Sequence, residues 1–437
     1  MLGAYLAAVL GRRGIHYAWV VAAVTFLTAL TSAGAVGIPG ALILPLSREF
    51  GWDTAQISSA LALRLLLFGV MAPFAAALID RYGVRRTVLT AIGLIILGLA
   101  GALVMNRVWQ LILAWGVMVG VGTGMTALVL SAIVANRWFA ERRGLVLGIL
   151  TASSATGQLV FLPLAASLAE HWGWRTALVP PVAALALVGL LAYLLLRDRP
   201  SDVGLAAFGE KLIPGAPIAL PAAPSGAAIA RSFAVLAEAS GSPVFWILGA
   251  TFFICGLSTS GLIQTHFIPL CADFGMAPVA AASVLAAMGL FDIAGTIGSG
   301  WLSDRYEPRN LLFWYYGLRG LSLLYLPFSS FTLYGLSLFA VFYGLDWIAT
   351  VPPTVKIAAA AFGRDRAGIV FGWVFAAHQL GAAAAAYGAG LSRTLAASYL
   401  PAFFLAGIAC LLAAFLVLAA RPGRGELVRA VALRAKT

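Results

Sequence analysis

The chain has 437 residues, 62% of them hydrophobic and 10% charged, and its mean hydropathy is +0.97. Soluble domains average about 25% charged residues, so a chain this apolar has too little polar surface for water and must dissolve in lipid. Its net charge of +12 is spread over short loops with no basic stripe, which argues against nucleic acid and for anionic lipid headgroups as the counter-charge.

In chain order, the first ten residues, MLGAYLAAVL, precede Arg12 and Arg13. That is the wrong order for a cleavable signal peptide, and the segment reads as an amphipathic interfacial lead-in. Twelve apolar runs follow, each bounded by charge or turn clusters and long enough to span a bilayer. They lie at about 17–46, 54–79, 84–105, 108–135, 142–168, 175–196, 243–270, 278–302, 311–328, 332–355, 366–390 and 396–420. Between the sixth and seventh, Pro200, Pro214, Pro217, Pro221 and Pro224 stand among Ala, Gly and Ser. This composition predicts a linker, partly helical at best. The expected organisation is a six-helix half at 1–196, a linker at 197–242 and a second six-helix half at 243–437.

The halves repeat. DRYGVRR at Asp80–Arg86 returns as DRYEPRN at Asp304–Asn310, an offset of 224 residues. The same offset carries Leu44–Gly51 onto Ile268–Gly275, and Glu141–Gly148 onto Asp365–Gly372. Internal repeats in a membrane chain are the usual build of a secondary transporter, with the substrate site between them. Of the 28 Lys and Arg residues, 22 fall on one side if both termini are cytoplasmic. Only Arg48, Arg107, Arg175 and Arg393 fall on the other, while Arg64 and Arg319 lie within spans. The positive-inside bias therefore predicts cytoplasmic termini.

Six plus six spans, a long central loop and the DR-x-G-x-RR string between spans 2 and 3 resemble the major facilitator superfamily. The resemblance covers nearly the whole chain. It implies an all-α membrane protein of twelve transmembrane helices in two pseudo-symmetric halves. That family's signature at this loop is Gly-x-Leu-x-Asp-Arg-x-Gly-Arg-Arg. Here Ala76 replaces the first Gly, and Val84 is an extra residue before Arg85. The second copy keeps Gly300. The stretch Asn136–Gly144, and Gly173-Trp174-Arg175, are similar to bacterial oxalate–formate antiporters and monocarboxylate porters. Drug–proton antiporters keep an Arg in span 4 and a Gly-Pro pair in span 5. Here Trp115 with Gly116, and Phe161 with Leu162, stand in those places.

Two groups of polar residues call for explanation. At the ends of spans 2 and 8, a carboxylate can accept from the orphan N–H groups of a neighbouring helix start. The resemblance implies a latch that closes the cytoplasmic side. Its residues are Asp80, Arg81, Gly83, Arg85 and Arg86, then Asp304, Arg305 and Arg309. Helix starts at Glu141 and Arg142, and at Asp365 and Arg366, are the expected partners. The plainer alternative is a turn whose arginines anchor lipid phosphate.

Within the spans, ionisable residues cost about 2.5–3.5 kcal/mol each. They are Arg64, Asp292, Arg319, Asp346 and His378. At the 224 offset they face Met288, Phe68, Ile95, Gly122 and Ser154, so these charges do not share the repeat of the frame. At about 1.5 Å per helical residue, Asp292, Arg319 and Asp346 share a layer roughly 12–15 Å from the cytoplasmic end of their spans. His378 sits about 18 Å in, near the midplane. Arg319 is expected to pair with Asp292 or Asp346 as a structural lock.

By resemblance, monocarboxylate porters place an Asp in span 8 and a carboxylate-binding Arg four residues later. Here the follower of Asp292 is Thr296, which leaves Arg64 as the unclaimed deep cation. His378, Gln379, Tyr343 and Trp347 complete the candidate substrate or proton site.

Gly116, Gly120, Gly122 and Gly124 form a small-residue face for close helix approach. Pro39, Pro45 and Pro269 are candidates to kink or end the gating helices. Cys255, Cys271 and Cys410 show no pairing or metal spacing. No catalytic constellation, metal motif or cofactor signature is present, and the chain is expected to be a monomer. The expected function is secondary active transport of a small organic anion, with protons as a possible coupling ion. The alternatives are an efflux pump for hydrophobic or cationic compounds and a membrane sensor or assembly factor without flux.

Overall fold

The computed structural model describes residues 2–126, 128–210 and 227–421. Lys211 and the prolines at 214, 217, 221 and 224 lie outside the described residues. Helix dominates, and the extended pairing among the described residues is a single bridge between Phe139 and Phe208.

Eleven segments are long and apolar enough to cross a membrane. Numbered as spans, 1 is Ala18–Phe50, 3 is Val84–Ala102, 4 is Val108–Trp138 and 5 is Arg143–Trp172. Span 6 is Trp174–Leu195, 7 is Pro243–Asp273, 8 is Pro278–Ser303 and 10 is Ser337–Phe362. Span 11 is Arg366–Ala396 and 12 is Leu400–Val417. Span 2 is apolar over Thr54–Met71, within a helix that continues from Thr54 to Tyr82. The predicted span 9 is present as the helix Pro308–Tyr325, but it is not among the eleven. Arg309, Asn310, Tyr315, Tyr316 and Arg319 make it more polar than its neighbours.

Local signals explain the helix ends. Asp53 and Gln56 form a capping box at the start of span 2, and the Asp53 N–H donates to Gln56 Oε1 at 3.0 Å. Spans 1 and 7 both end at a left-handed glycine, Gly51 at φ 67° and Gly275 at φ 80°. The repeat in sequence is thus a repeat in backbone geometry.

Close packing depends on missing side chains. Gly116, Gly120 and Gly124 lie against the backbone of span 2 at Ala60, Arg64 and Phe68, while Gly122 faces Ala91 and Ile95 of span 3. In the other half Gly256 meets the His378 carbonyl, and Gly381 meets that of Phe253. Spans 7 and 11 therefore interlock reciprocally.

One buried cluster uses residues between Ala7 and Val203 alone. Another lies between Val235 and Ala420. A third joins Ala41, Leu162 and Ala166 to Leu262, Phe267 and Phe339. Spans 2 and 11 meet along a seam. The Ala55 N–H donates to Thr394 Oγ1 at 3.1 Å, Leu65 packs on Ala382 and Ala386, and the Phe68 and Phe375 rings lie 6.2 Å apart. This seam runs from the ends remote from the basic loops to about mid-depth.

The first part of the linker folds back on the loop between spans 4 and 5. The Phe208 N–H donates to the Trp138 carbonyl at 2.8 Å, and the Ala140 N–H donates to the Phe208 carbonyl at 2.8 Å. The Phe208 ring sits against His16, Trp19 and Phe139. A helix at Ala227–Ala239 then packs on span 11, where Trp373 Nε1 donates to the Ser232 carbonyl at 3.1 Å.

The interlock of spans 7 and 11 sets an expectation. Gly381→Val forces a side chain into the Phe253 carbonyl, and overpacking of this kind costs about 1–3 kcal/mol. Gly388→Val enters open space and serves as control. In detergent thermal melts, only the first should lower the midpoint by several degrees.

Candidate functional site

A chain in lipid must satisfy its backbone N–H and C=O groups internally. Among the spans whose helix breaks mid-course, spans 1 and 10 each have a buried arginine beside the break. Span 1 divides into Ala18–Gly37 and Pro39–Phe50. Pro39 lacks an N–H and starts the second piece. Pro45 and Pro269, also candidate kinks, lie inside continuous helices. Span 10 divides into Ser337–Asp346 and Val351–Phe362, with Pro352 and Pro353 opening the second piece.

Arg319 serves the span 10 break and is fully buried. Its Nε donates to Asp346 Oδ2 at 2.5 Å, and its Nη2 to the carbonyls of Asp346 at 2.6 Å and Trp347 at 3.3 Å. Its Nη1 donates to Cys255 Sγ at 3.0 Å. Every nitrogen of the guanidinium is engaged. Of the two acids the spacing left open, the ion-pair partner is Asp346. Cys255, which shows no pairing or metal spacing in the sequence, also belongs to this cluster, and no spacing rule would have joined it to a residue in span 9.

Asp292 attends the same break from span 8. Its Oδ1 accepts from the Ile348 N–H at 2.9 Å and from Thr296 Oγ1 at 3.1 Å. Thr296, where the family pattern would have Arg, hydrogen-bonds the acid one turn before it. Tyr343 is buried with its hydroxyl donating to the Ser258 carbonyl at 2.8 Å, and its ring lies 5.8 Å from that of Trp347.

Arg64 differs. It is 3% exposed and donates through Nη1 to the Val36 carbonyl, just before the span 1 break. Its Nε has no partner, and no carboxylate forms a salt bridge with it among the described residues. Gly120 brings span 4 against its backbone. Gln158 of span 5 approaches Gly37 on the same stretch of span 1. Arg64 is thus a buried cation with donors to spare.

His378 and Gln379 sit on span 11. The His378 ring stacks on Phe375 at 5.5 Å, and its Nδ1 is buried without a partner. Gln379 packs on Gly69 across the seam, and its Oε1 is buried without a partner. The structure therefore separates the sequence candidates. Asp292, Arg319, Asp346, Tyr343 and Trp347 gather at the span 10 break. Arg64 attends span 1, and Gln379 faces the seam.

The expected latch takes a different form in this structure. Asp80 pairs with Arg137 at the end of span 4, and Asp304 with Lys356 in the second piece of span 10 at 2.9 Å. Neither acid forms a salt bridge to the helix starts at Glu141 and Arg142 or at Arg366. Arg142 lies over the Phe208 ring, Glu141 takes part in the linker turn through its N–H, and Arg366 pairs with Glu238. The side chain of Asp365 lies outside the described residues. Arg85 stacks on Tyr193 and Arg305 on Trp301, while Arg309 pairs with Glu307. Gly83 takes φ 86°. Arg81 lies 5.2 Å from the Tyr82 ring centre, and Arg86 is exposed. Lys356 holds the Asp304 carboxyl below the usual carboxylate range. That pair therefore survives falling pH until the lowered value is passed.

Residues 21–386 match the Major Facilitator Superfamily. The chain belongs to this family. It is an integral membrane transporter of small molecules, not an enzyme. It is 26% identical over 372 residues to the uncharacterized MFS-type transporter YcxA of Bacillus subtilis, covering 82% of this chain and 84% of that protein. It is 25% identical over 394 residues to monocarboxylate transporter 13 of Bos taurus, covering 90% and 86%. It is 26% identical over 318 residues to monocarboxylate transporter 12-B of Danio rerio, covering 69% and 65%. The fold matches the inward-open xylose transporter XylE of E. coli with a TM-score of 0.70 at 14% identity, over 95% of this chain and 99% of that one.

Two expectations follow from the ion pairs. Arg319→Ala strands a buried carboxylate, and breaking a buried pair costs about 3–5 kcal/mol. Arg319→Ala with Asp346→Ala should recover part of the lost thermal stability, which Arg319→Ala with Asp292→Ala should not. Asp80→Asn with Asp304→Asn should keep the folded yield, by size-exclusion profile, and slow transport severalfold. Unchanged transport would remove these acids from the gate.

Proposed function

We propose that this transporter moves a small organic anion, a mono- or dicarboxylate, by alternating access. The moving bodies are the halves 1–196 and 243–437, joined by the linker 197–242. We place it in a bacterial cytoplasmic membrane with both termini cytoplasmic. The observation that carries the reading is the contrast between the two arginines. Arg319 has every nitrogen engaged, whereas Arg64 is buried with an unpartnered Nε.

An anion leaving water for a low-dielectric site needs a fixed cation. A guanidinium presents two parallel donors to a carboxylate, which an ammonium does not. The names of the monocarboxylate transporters among its relatives support the same class.

Gln379 contributes a polar contact from the opposite half, and His378 lies beside it. Asp292 is the coupling group. Its carboxylate accepts two hydrogen bonds, and protonation removes the charge those donors hold. Leu145, Leu147 and Ile149 of span 5 are exposed near the basic loops, while the span 2 and span 11 seam is closed at the far end. Both features suit a carrier open on its cytoplasmic side.

Uptake of small carboxylates by proteoliposomes, screened as a panel, should be saturable and faster with acid outside. Arg64→Lys should raise the half-saturating concentration about tenfold, the loss of one charge-assisted bond. Asp292→Asn should abolish accumulation driven by a pH gradient and spare exchange. Binding of organic cations with Arg64→Ala silent would replace this reading with an efflux pump.

A further inference from the structure

Span 7 carries one more ionisable side chain inside the membrane, His266. It lies about 10 Å in from the end of the span at Asp273, the end remote from the basic loops. The side chain is fully buried, and its Nε2 lies 2.8 Å from the Ala386 carbonyl of span 11. A carbonyl only accepts, so Nε2 carries a proton and the neutral ring presents a bare Nδ1. That nitrogen is buried without a partner. Holding a carbonyl needs one donor and no bare acceptor, so the second nitrogen is left over from any purely structural role.

The cover over this ring comes from the other half. Gly40 of span 1 lies against the carbonyls of Gln264 and Thr265. Leu65 of span 2 packs on Ala386 itself. Gly390 of span 11 lies against Ser58 and the Thr54 carbonyl of span 2. His266 and Ala386, by contrast, sit on spans 7 and 11, which interlock. Parting the halves at the far end therefore keeps the bond to Ala386 and removes the cover.

The charged and titratable groups nearby are engaged elsewhere. Asp273 pairs with Arg393 at 3.0 Å, and Arg393 lies over the Tyr399 ring. That ring lies 5.2 Å from the His266 ring. Glu49 of span 1 pairs with Arg175, and Arg48, Asp53 and Tyr387 are exposed. Arg64 is turned to the Val36 carbonyl, and Asp292, the one charged residue of span 8, to the span 10 break. Cys271 of span 7 is buried, and His378 of span 11 lies about 12 Å deeper than Ala386. None of these hydrogen-bonds the His266 ring.

We propose that His266 binds a proton from the external water and thereby sets which way the empty carrier faces. With the far end closed, an imidazolium here would be a buried cation whose Nδ1–H has no acceptor, which is costly. With the far end open, water solvates the ring and the charge is tolerated. The proton arrives on Nδ1 from outside and must return there before the halves close. Acid outside thus draws the carrier toward its outward-open arrangement, where it can load. The inference rests on the alternating-access reading, and its test needs no cargo.

The test is a spin-label distance measurement on the full chain in liposomes. Arg48→Cys and Ala396→Cys place labels on exposed outer ends of spans 1 and 11, while the native cysteines are buried and stay in place. External pH is taken from one unit above to one unit below the ordinary imidazole value of about 6.5. The ratio of the long-distance to the short-distance population should rise about tenfold, as expected for one proton. His266→Gln keeps a donor for Ala386 and cannot take a proton, so its ratio should not move. A pH-independent ratio in the parent chain, or the same rise in His266→Gln, overturns the proposal and leaves the carboxylate reading standing. A single population at every pH overturns alternating access with it. Should His266→Gln give no folded protein, hydrogen–deuterium exchange at the imidazole C2 carbon of the parent chain decides, read by mass spectrometry on the peptide that holds His266. Its rate should titrate through the same pH range, and a flat rate overturns proton binding.

Discussion

A peptide group inside lipid has no water to turn to, and this constraint organises the protein's interior. Proline breaks at Pro39 and at Pro352-Pro353 free backbone groups in mid-course. Arg64 and Arg319 donate to carbonyls beside these breaks. The costly intramembrane cations are thus tied first to the backbone. What distinguishes them is how much of each guanidinium remains after that duty. Asp346 and Cys255 take up the rest of Arg319, while Arg64 keeps an unpartnered nitrogen.

The frame that carries these charges is symmetric, and the charges are not. Both halves end their first span at a left-handed glycine and pair an acid at the end of the second span with a base in the last part of the fourth. The base, however, comes from a different register in each half. Arg137 corresponds to Ala361 at the repeat offset, and Lys356 to Ala132. The geometry of the pair is retained without its residues. An electrostatic contact at a helix end needs only a long basic side chain within reach, so several positions can supply it.

The spans and their repeat were readable because hydropathy and turn chemistry act locally. Span 9 shows the limit, since its one buried face carries Tyr316 and Arg319, which lower its apolarity. The Arg319 pairing could be narrowed to two acids by depth, because helical rise is constant. Choosing Asp346 needed rotation about the helix axes, which depth does not contain. The span 10 gap had a visible signal in Val351-Pro352-Pro353, hidden inside an otherwise apolar run. The bases opposite Asp80 and Asp304 were not legible in the repeat, because Arg137 and Lys356 do not obey it. The separation of Arg64 from the span 10 cluster was not in the sequence, since it depends on which neighbour each helix face meets.

The strap formed by Phe208 bears on how the first half is delimited. Spans 1 to 6 end at Leu195, yet the Trp138 carbonyl accepts from the Phe208 N–H and the Ala140 N–H donates to the Phe208 carbonyl. Beside them the Tyr17 hydroxyl donates to the Leu195 carbonyl at 2.7 Å, and the Arg85 N–H donates to Asp198 Oδ1 at 2.9 Å. A fragment cut at the membrane edge would lose this closing turn and bare the aromatic floor of Trp19 and Phe139. The turn that ties the fourth and fifth helices together thus lies beyond the sixth, and a ribosome must deliver Phe208 before that tie can close.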